Sequence, residues 1–187
     1  MNSKISIFLS VILGIFLGIL ISAGILMIHT NNDGTITVAE RLKLIQLGAE
    51  AVQKGEIPVA SLLLYNNKII GKGRNTVLQD SNISAHAEIN AINDAIKTLG
   101  FTKYNSLNQD SLVLITTFEP CPMCKGAMAE NHIENVIVIQ EKTMEYRLKE
   151  WKRYFLIDKK TKYVNSDQLQ DSLFRTFPNI DIEDIDY

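Results

Sequence analysis

Apolar residues are spread unevenly along this chain. Between Ile5 and Ile28 run 24 consecutive uncharged residues, 18 of them apolar and the other six Ser or Gly. No position in the run marks a solvent-facing side, which argues against a helix at a domain surface. As a helix it reaches about 36 Å, enough to cross a hydrocarbon core of roughly 30 Å with some tilt. A cleaved secretory signal is the rival, but its apolar stretch is commonly about 7–15 residues and ends at a small-x-small site. Here the run continues past Ser22-Ala23-Gly24 to Ile28, so residues 1–30 read as an uncleaved, single-pass membrane anchor. Ser6, Ser10, Gly14, Gly18 and Ser22 recur at every fourth position, a small-residue stripe on which two such helices can pack. Lys4 flanks one end, and Arg41 and Lys43 the other, so charge leaves the side of the membrane open.

After a polar linker, residues 31–36, the pattern alternates between helical and strand periods. Thr37-Val38-Ala39-Glu40 is a capping box and predicts a helix to Lys54-Gly55, with Val38, Leu42, Ile45, Ala49 and Val52 as its packed face. Pro58 opens an apolar run to Tyr65, Asn66-Asn67 supplies a turn, and Lys68 to Gly73 returns as the second arm of a β-hairpin. Ser84 is read as the N-cap of a helix from Ala85 to Leu99 with Ile89, Ile92, Ile96 and Leu99 buried and Gly100 as its stop. Ser111–Thr117 and Asn135–Gln140 read as strands, with a helix starting at Pro122 between them. A last helix is predicted after Ser166, with Leu169, Leu173, Phe174 and Phe177 inward. Strands alternating with helices predict an α/β sandwich.

Composition changes this picture little. Without the N-terminal run about 42% of residues are hydrophobic, against 46% for all 187, which suits one soluble domain and excludes disorder and a polytopic membrane protein. The domain is taken as 37–165, and 166–187 as a C-terminal helix and acidic tail. The net charge of −2 hides an asymmetry, since Lys142–Lys162 carries eight basic residues and three acidic ones.

The chemistry is concentrated in two short strings. The chain's two cysteines form Cys121-Pro122-Met123-Cys124 at a strand-to-helix junction. Proline suits the first helical position, and the i, i+3 spacing points both sulfurs out of the same helix end, where thiolate is stabilised. His86-Ala87-Glu88 lies in the first turn of another helix. One imidazole and two thiolates make a zinc site with a position left for water, whose pKa zinc lowers from 15.7 to about 7. Glu88, two residues from the histidine, is placed to move a proton.

Ser84-Ala85-His86-Ala87-Glu88 and Glu119-Pro120-Cys121-Pro122-Met123-Cys124 resemble the H-x-E and P-C-x-x-C signature of the zinc-dependent cytidine/deoxycytidylate deaminase superfamily. The long H-A-E and E-P-C-P-M-C forms are most similar to its guanine deaminase and tRNA adenosine deaminase branches. The resemblance implies a three-layer α/β/α sandwich around a mixed five-stranded sheet and a homo-oligomer. It also implies one Zn2+ per chain on His86, Cys121 and Cys124, and Glu88 as proton shuttle. Asn75 and the backbone N–H of Ala87 are implied as substrate contacts. The implied reaction is hydrolytic removal of an amino group from a nucleobase, with release of ammonia. One departure stands out: Asn82-Ile83 replaces the family's usual Asp-Pro before the motif, on the substrate-side loop.

Two other readings of the cysteines compete. His132 would complete a closed structural Cys2His2 set, but it lies two helical turns beyond Cys124. A membrane-anchored thioredoxin-like redox protein would use the same Cys-x-x-Cys, but it leaves His86 and Glu88 without a role and lacks a proline loop near the pair. For the substrate, the acidic balance favours a small nucleobase or nucleoside, guanine first, over tRNA. The basic stretch Lys142–Lys162 points the other way, and it also reads as a solvated helix face or a contact for anionic headgroups.

Overall fold

The computed structural model describes residues 36–161, and the predicted anchor, the C-terminal helix and the acidic tail lie outside them. The chain parts into two units between Leu42 and Lys43, so that of the described residues 36–42 belong to the first and 43–161, with the sheet, to the second. Among the described residues no helix is long and apolar enough to cross a membrane.

The capping box forms as predicted. Thr37 N–H donates to Glu40 Oε2 at 2.7 Å, and Glu40 N–H donates back to Thr37 Oγ1 at 3.2 Å. It opens α1, Val38–Gln53. The buried face of α1 is a different one from that predicted: Leu44, Leu47 and Ala51 are buried, while Val38, Leu42, Ile45 and Val52 are exposed. Both sets have helical spacing, so periodicity alone does not choose between them. Gly48 belongs to the buried side, where a Cβ would stand 3.7 Å from the Pro58 carbonyl oxygen.

Strands β1, Ala60–Tyr65, and β2, Lys68–Arg74, pair antiparallel through Asn66 and Asn67. Both turn residues have positive φ, 49° and 60°, the conformation that a two-residue hairpin turn requires and asparagine tolerates. β3, Leu112–Thr116, pairs antiparallel with β1, and β4, Asn135–Val138, runs parallel to β3. The order β2-β1-β3-β4 makes a mixed sheet of four strands. The fifth strand implied by the family resemblance is not formed among the described residues, because the chain after β4 goes into helix. Alternation along β1 and β3 puts Leu63 and Leu114 on one face and Leu62, Leu64 and Ile115 on the other. All five are buried, so both faces are covered.

One covering layer is α2, Ala87–Leu99, which packs on β2 and β1. It begins two residues later than predicted, with His86 at the N-cap. Ser84 is not the cap, because its hydroxyl and its N–H both donate to Asn82 Oδ1, at 2.7 and 3.0 Å. Of the predicted stripe Ile92 is buried, and Ile96 and Leu99 pack half-buried against the core, while Ala87, Ala91 and Ala95 are buried beside it on the side that meets β2. The partners of those alanines are Gly71 and Gly73 of β2. A Cβ on Gly71 would meet the Ala91 carbonyl oxygen and, at 2.9 Å, the Ala95 nitrogen, and one on Gly73 would meet Ala87 O. Strand and helix therefore touch backbone to backbone at the end where the site forms. Gly100, φ 84°, stops α2 as predicted, its N–H donating to Ile96 O at 2.8 Å. α3, Phe101–Asn105, follows it, α4, Pro122–Glu130, starts with Pro122 at its first position, and α5, Met144–Lys160, closes the described chain.

Candidate metal centre and active site

Two helix N-termini meet at the end of β3. His86 caps α2 and Cys121 caps α4, and neither helix end has a side-chain cap bond. The first N–H groups of a helix have no partner within it, so both ends present partial positive charge to the space between them. Cys121 and Cys124 Sγ are 3.5 Å apart, and His86 Nδ1 lies 3.7 and 3.6 Å from them. A tetrahedral zinc, with Zn–S about 2.3 Å and Zn–N about 2.0–2.1 Å, needs ligand atoms roughly 3.5–3.8 Å apart, so the three atoms fit the ion. The sulfur separation is far beyond the roughly 2.05 Å of a disulfide. Among the described residues the metal-ligating cluster consists of His86, Cys121 and Cys124. His132 is not part of it and lines a separate cavity, so the closed four-ligand set does not form.

The thiols are unequal. The neighbouring Cys124 thiol, with the N–H groups of Cys124 and Met123, outweighs burial and holds Cys121 well below the usual thiol range. The contact with Cys121 and burial push Cys124 up. Zinc takes both as thiolates.

Glu88 lies in the first turn of α2 and faces the same space. It is 3% exposed, and its Oε2 accepts from the Cys124 thiol while Oε1 accepts from Thr116 Oγ1, both at 3.5 Å. Burial is the largest influence on its carboxyl and raises its pKa, against its own N–H and the Cys124 thiol, which lower it. Such a group exchanges a proton closer to neutrality than an exposed carboxyl does.

The site opens into a cavity of about 340 Å³, whose lining includes Asn75, Ala87, Val77, Ile83, Phe118 and Tyr146. Both predicted substrate contacts are therefore on its wall. Asn75 is 5% exposed, and its Nδ2 donates to Glu56 Oε2 at 2.9 Å, while Gln79 N–H donates to Glu56 Oε1 at 2.8 Å. A carboxylate only accepts, so Glu56 fixes the amide with Nδ2 toward itself and leaves Oδ1 as the acceptor available to a ligand. Sequence reasoning missed Glu56: it precedes β1 in a loop, and only its distance to Asn75, 19 residues on, gives it a role. Asn90, also missed, donates from Nδ2 to Arg74 O at 2.8 Å and Thr76 Oγ1 at 2.9 Å, tying the cavity loop to α2. In that loop Asn82 and Ser84 form a side-chain turn, and the exposed Ile83 lines the cavity.

Glu119 braces the cysteine loop from behind. It accepts from Lys142 N–H at 3.0 Å, from Arg147 Nη2 at 2.7 Å and from Lys125 Nζ at 3.2 Å. Burial pushes its carboxyl up, but these donors prevail and bring it down to about 2.

A three-ligand zinc set leaves one coordination position open, and a buried carboxyl beside that position outlines the class of zinc-dependent deaminases. Sequence comparison gives the membership: residues 38–140 match the model for the cytidine and deoxycytidylate deaminase zinc-binding region, and the chain belongs to that family. Its match to the tRNA-specific adenosine deaminase 2 of Xenopus laevis is 38% identical over 87 residues, 46% of this chain and 50% of that protein. The match to the tRNA-specific adenosine deaminase of Bacillus subtilis is 34% identical over 93 residues, 50% of this chain and 55% of that one. The chain thus spans about half the length of the curated relatives it matches. Among solved structures, the guanine deaminase of Bacillus subtilis superposes with a TM-score of 0.61 and 28% identity, covering 78% of this chain and 98% of that one.

Proposed function

We propose that the protein hydrolytically deaminates a purine base, water and the amino-purine giving the oxo-purine and ammonia. The cavity carries this reading. Its volume of about 340 Å³ suits a ligand of base or nucleoside size, and Val59, Val77, Leu78 and Phe118 offer apolar surfaces for the ring faces. The cation on its wall is Lys142, whose ammonium is bound to Glu150 at 2.7 Å and to Pro120 O at 3.1 Å. No free cation on the described wall waits for a phosphate, which favours a small neutral base, guanine first.

His86, Cys121 and Cys124 would hold the zinc, which when bound supplies the Lewis acidity that brings a water near pKa 7. Glu88 takes the proton released by the attacking water on its Oε and delivers it to the ring nitrogen, then carries the second to the departing amine. Asn75 Oδ1 accepts from a ring N–H and the Ala87 N–H donates to a ring acceptor, so the two orient the base edge-on.

A second reading, deamination of adenosine in tRNA, is favoured by the names of the curated relatives. Ammonia release from guanine, adenine, cytosine, their nucleosides and a tRNA anticodon stem-loop separates the two. Turnover of free guanine supports the first, and turnover of the RNA alone rejects it. The proposal also keeps residues 1–30 as a membrane anchor, 31–36 as a linker, 37–165 as the catalytic domain and 166–187 as a C-terminal helix and acidic tail. The working form is a homodimer at a membrane.

A further inference from the structure

Helix α5 has two faces of opposite use. Over its first two turns the inner side is engaged: Tyr146 lines the site cavity, Arg147 binds Glu119, and Glu150 binds Lys142, while farther along the same side Tyr154 and Ile157 are exposed. On the outer side Met144, Leu148, Trp151 and Phe155 fall at i, i+4, i+7 and i+11, a single stripe three turns long. They are 67%, 59%, 66% and 51% exposed. Trp151 and Phe155 stack on each other with centroids 5.7 Å apart and planes 18° apart, in solvent. Scattered exposed apolar residues need no explanation, but a continuous stripe does.

Charge narrows what covers it. Met144–Lys160 contains six basic residues and three acidic ones in a chain whose net charge is −2. Two of those acids are already used, Glu145 on Lys149 and Glu150 on Lys142. These are the carboxylates of this helix whose side chains are described, and neither pairs with Lys152, Arg153, Lys159 or Lys160. At about 100° per residue Lys152 and Lys159 border the apolar stripe. Aliphatic and aromatic side chains flanked by long cationic stems that can reach headgroups are the pattern of an interfacial helix. RNA is the poorer match, because Met144 and Leu148 have no ring to stack on a base. A second copy would bring two cationic borders together. The 24-residue uncharged run at Ile5–Ile28 points independently to the same lipid phase.

We propose that the outer face of α5 rests on an anionic membrane surface, with Met144, Leu148, Trp151 and Phe155 in the headgroup region and Lys152 and Lys159 on the lipid phosphates. The surface lies opposite the residues that α5 contributes to the site, so the protein can dock and keep its cavity wall in place.

Trp151 is the chain's one tryptophan, so its fluorescence reports on α5 whatever the N-terminal run does. The full chain is placed in nanodiscs of phosphatidylcholine alone and of phosphatidylcholine with phosphatidylglycerol. In the anionic discs the emission shifts to the blue, lipids brominated on the acyl chain quench it, and acrylamide quenches it less. In neutral discs these changes shrink. Leu148→Glu with Phe155→Glu abolishes them, and Lys152→Glu with Lys159→Glu reduces the response to anionic lipid about tenfold or more. All four positions are exposed, and the lipid comparison on the unaltered chain stands without the variants. A Trp151 equally open to acrylamide in both discs overturns the proposal. So does protection that follows protein concentration without lipid, which marks a second copy, or protection by tRNA alone.

Discussion

A methyl group on Gly73 tests whether the close seat of α2 on β2 builds the site. An added Cβ would collide with Ala87 O and Ala91 N and stand 2.9 Å from the Asn90 carbonyl carbon. All three are helix backbone, so no side chain can turn away and α2 must lift. Overpacking of this kind costs about 1–3 kcal/mol. In a chain of this size each kcal/mol lowers Tm by about 2–4 °C, which gives a fall of about 2–12 °C. The lift also carries His86 and Glu88 away from Cys121 and Cys124, which belong to another helix, so zinc affinity falls with stability. Gly126→Ala is the internal control: it lies inside α4, and its Cβ meets nothing within 4 Å. Relief of glycine's entropy there stabilises by about 0.5–1 kcal/mol. The same substitution should thus act with opposite signs at the two positions. Thermal melts of the full chain with zinc, and zinc competition against a chromogenic chelator, read both effects. Unchanged Tm and zinc affinity in Gly73→Ala would show that the close seat of α2 on β2 does not hold the site together.

Glu56→Gln leaves one acceptor oxygen for two donors, Asn75 Nδ2 and Gln79 N–H. A lost buried hydrogen bond of about 1–3 kcal/mol lowers kcat/KM about 5- to 150-fold while zinc content holds; unchanged kcat/KM removes Glu56 from the account. Glu119 has its carboxyl lowered from an ordinary 4.5 to about 2. Its contribution to stability is therefore full above about pH 4.5 and is lost as pH falls toward 2. The Tm deficit of Glu119→Gln should shrink over that window, and a deficit that is constant with pH shows that the ion pairs are not its source.

What could be read from the sequence was local chemistry. The capping box at Thr37 and Glu40 closes within three residues, and the Asn66-Asn67 turn within two, so neither depends on the rest of the fold. His86, Cys121 and Cys124 were legible because zinc demands particular atom types at particular spacings, and the structure brings the three together. The buried face of α1 was misread because two apolar stripes share it and only packing decides. The start of α2 was misplaced because Asn82 captures the Ser84 hydroxyl that would have capped it. Gly71 and Gly73 read as ordinary strand residues, and their function exists only against the alanines of a helix about 20 residues later. The fifth strand is implied by the family resemblance alone, and the one apolar run after β4 among the described residues, Tyr154-Phe155-Leu156-Ile157, lies in α5 instead.

The proposed activity rests on one zinc held by His86, Cys121 and Cys124 and on one proton carrier, Glu88. It is tested by measuring zinc content and guanine-dependent ammonia release on the same preparations of the unaltered chain and of Glu88→Gln. Both should carry about one zinc per chain, as three ligands and an open position imply. Ammonia release should be about 10²- to 10⁴-fold lower in Glu88→Gln than in the unaltered chain. Zinc in both with equal turnover, or turnover that persists after the zinc is stripped, would contradict it.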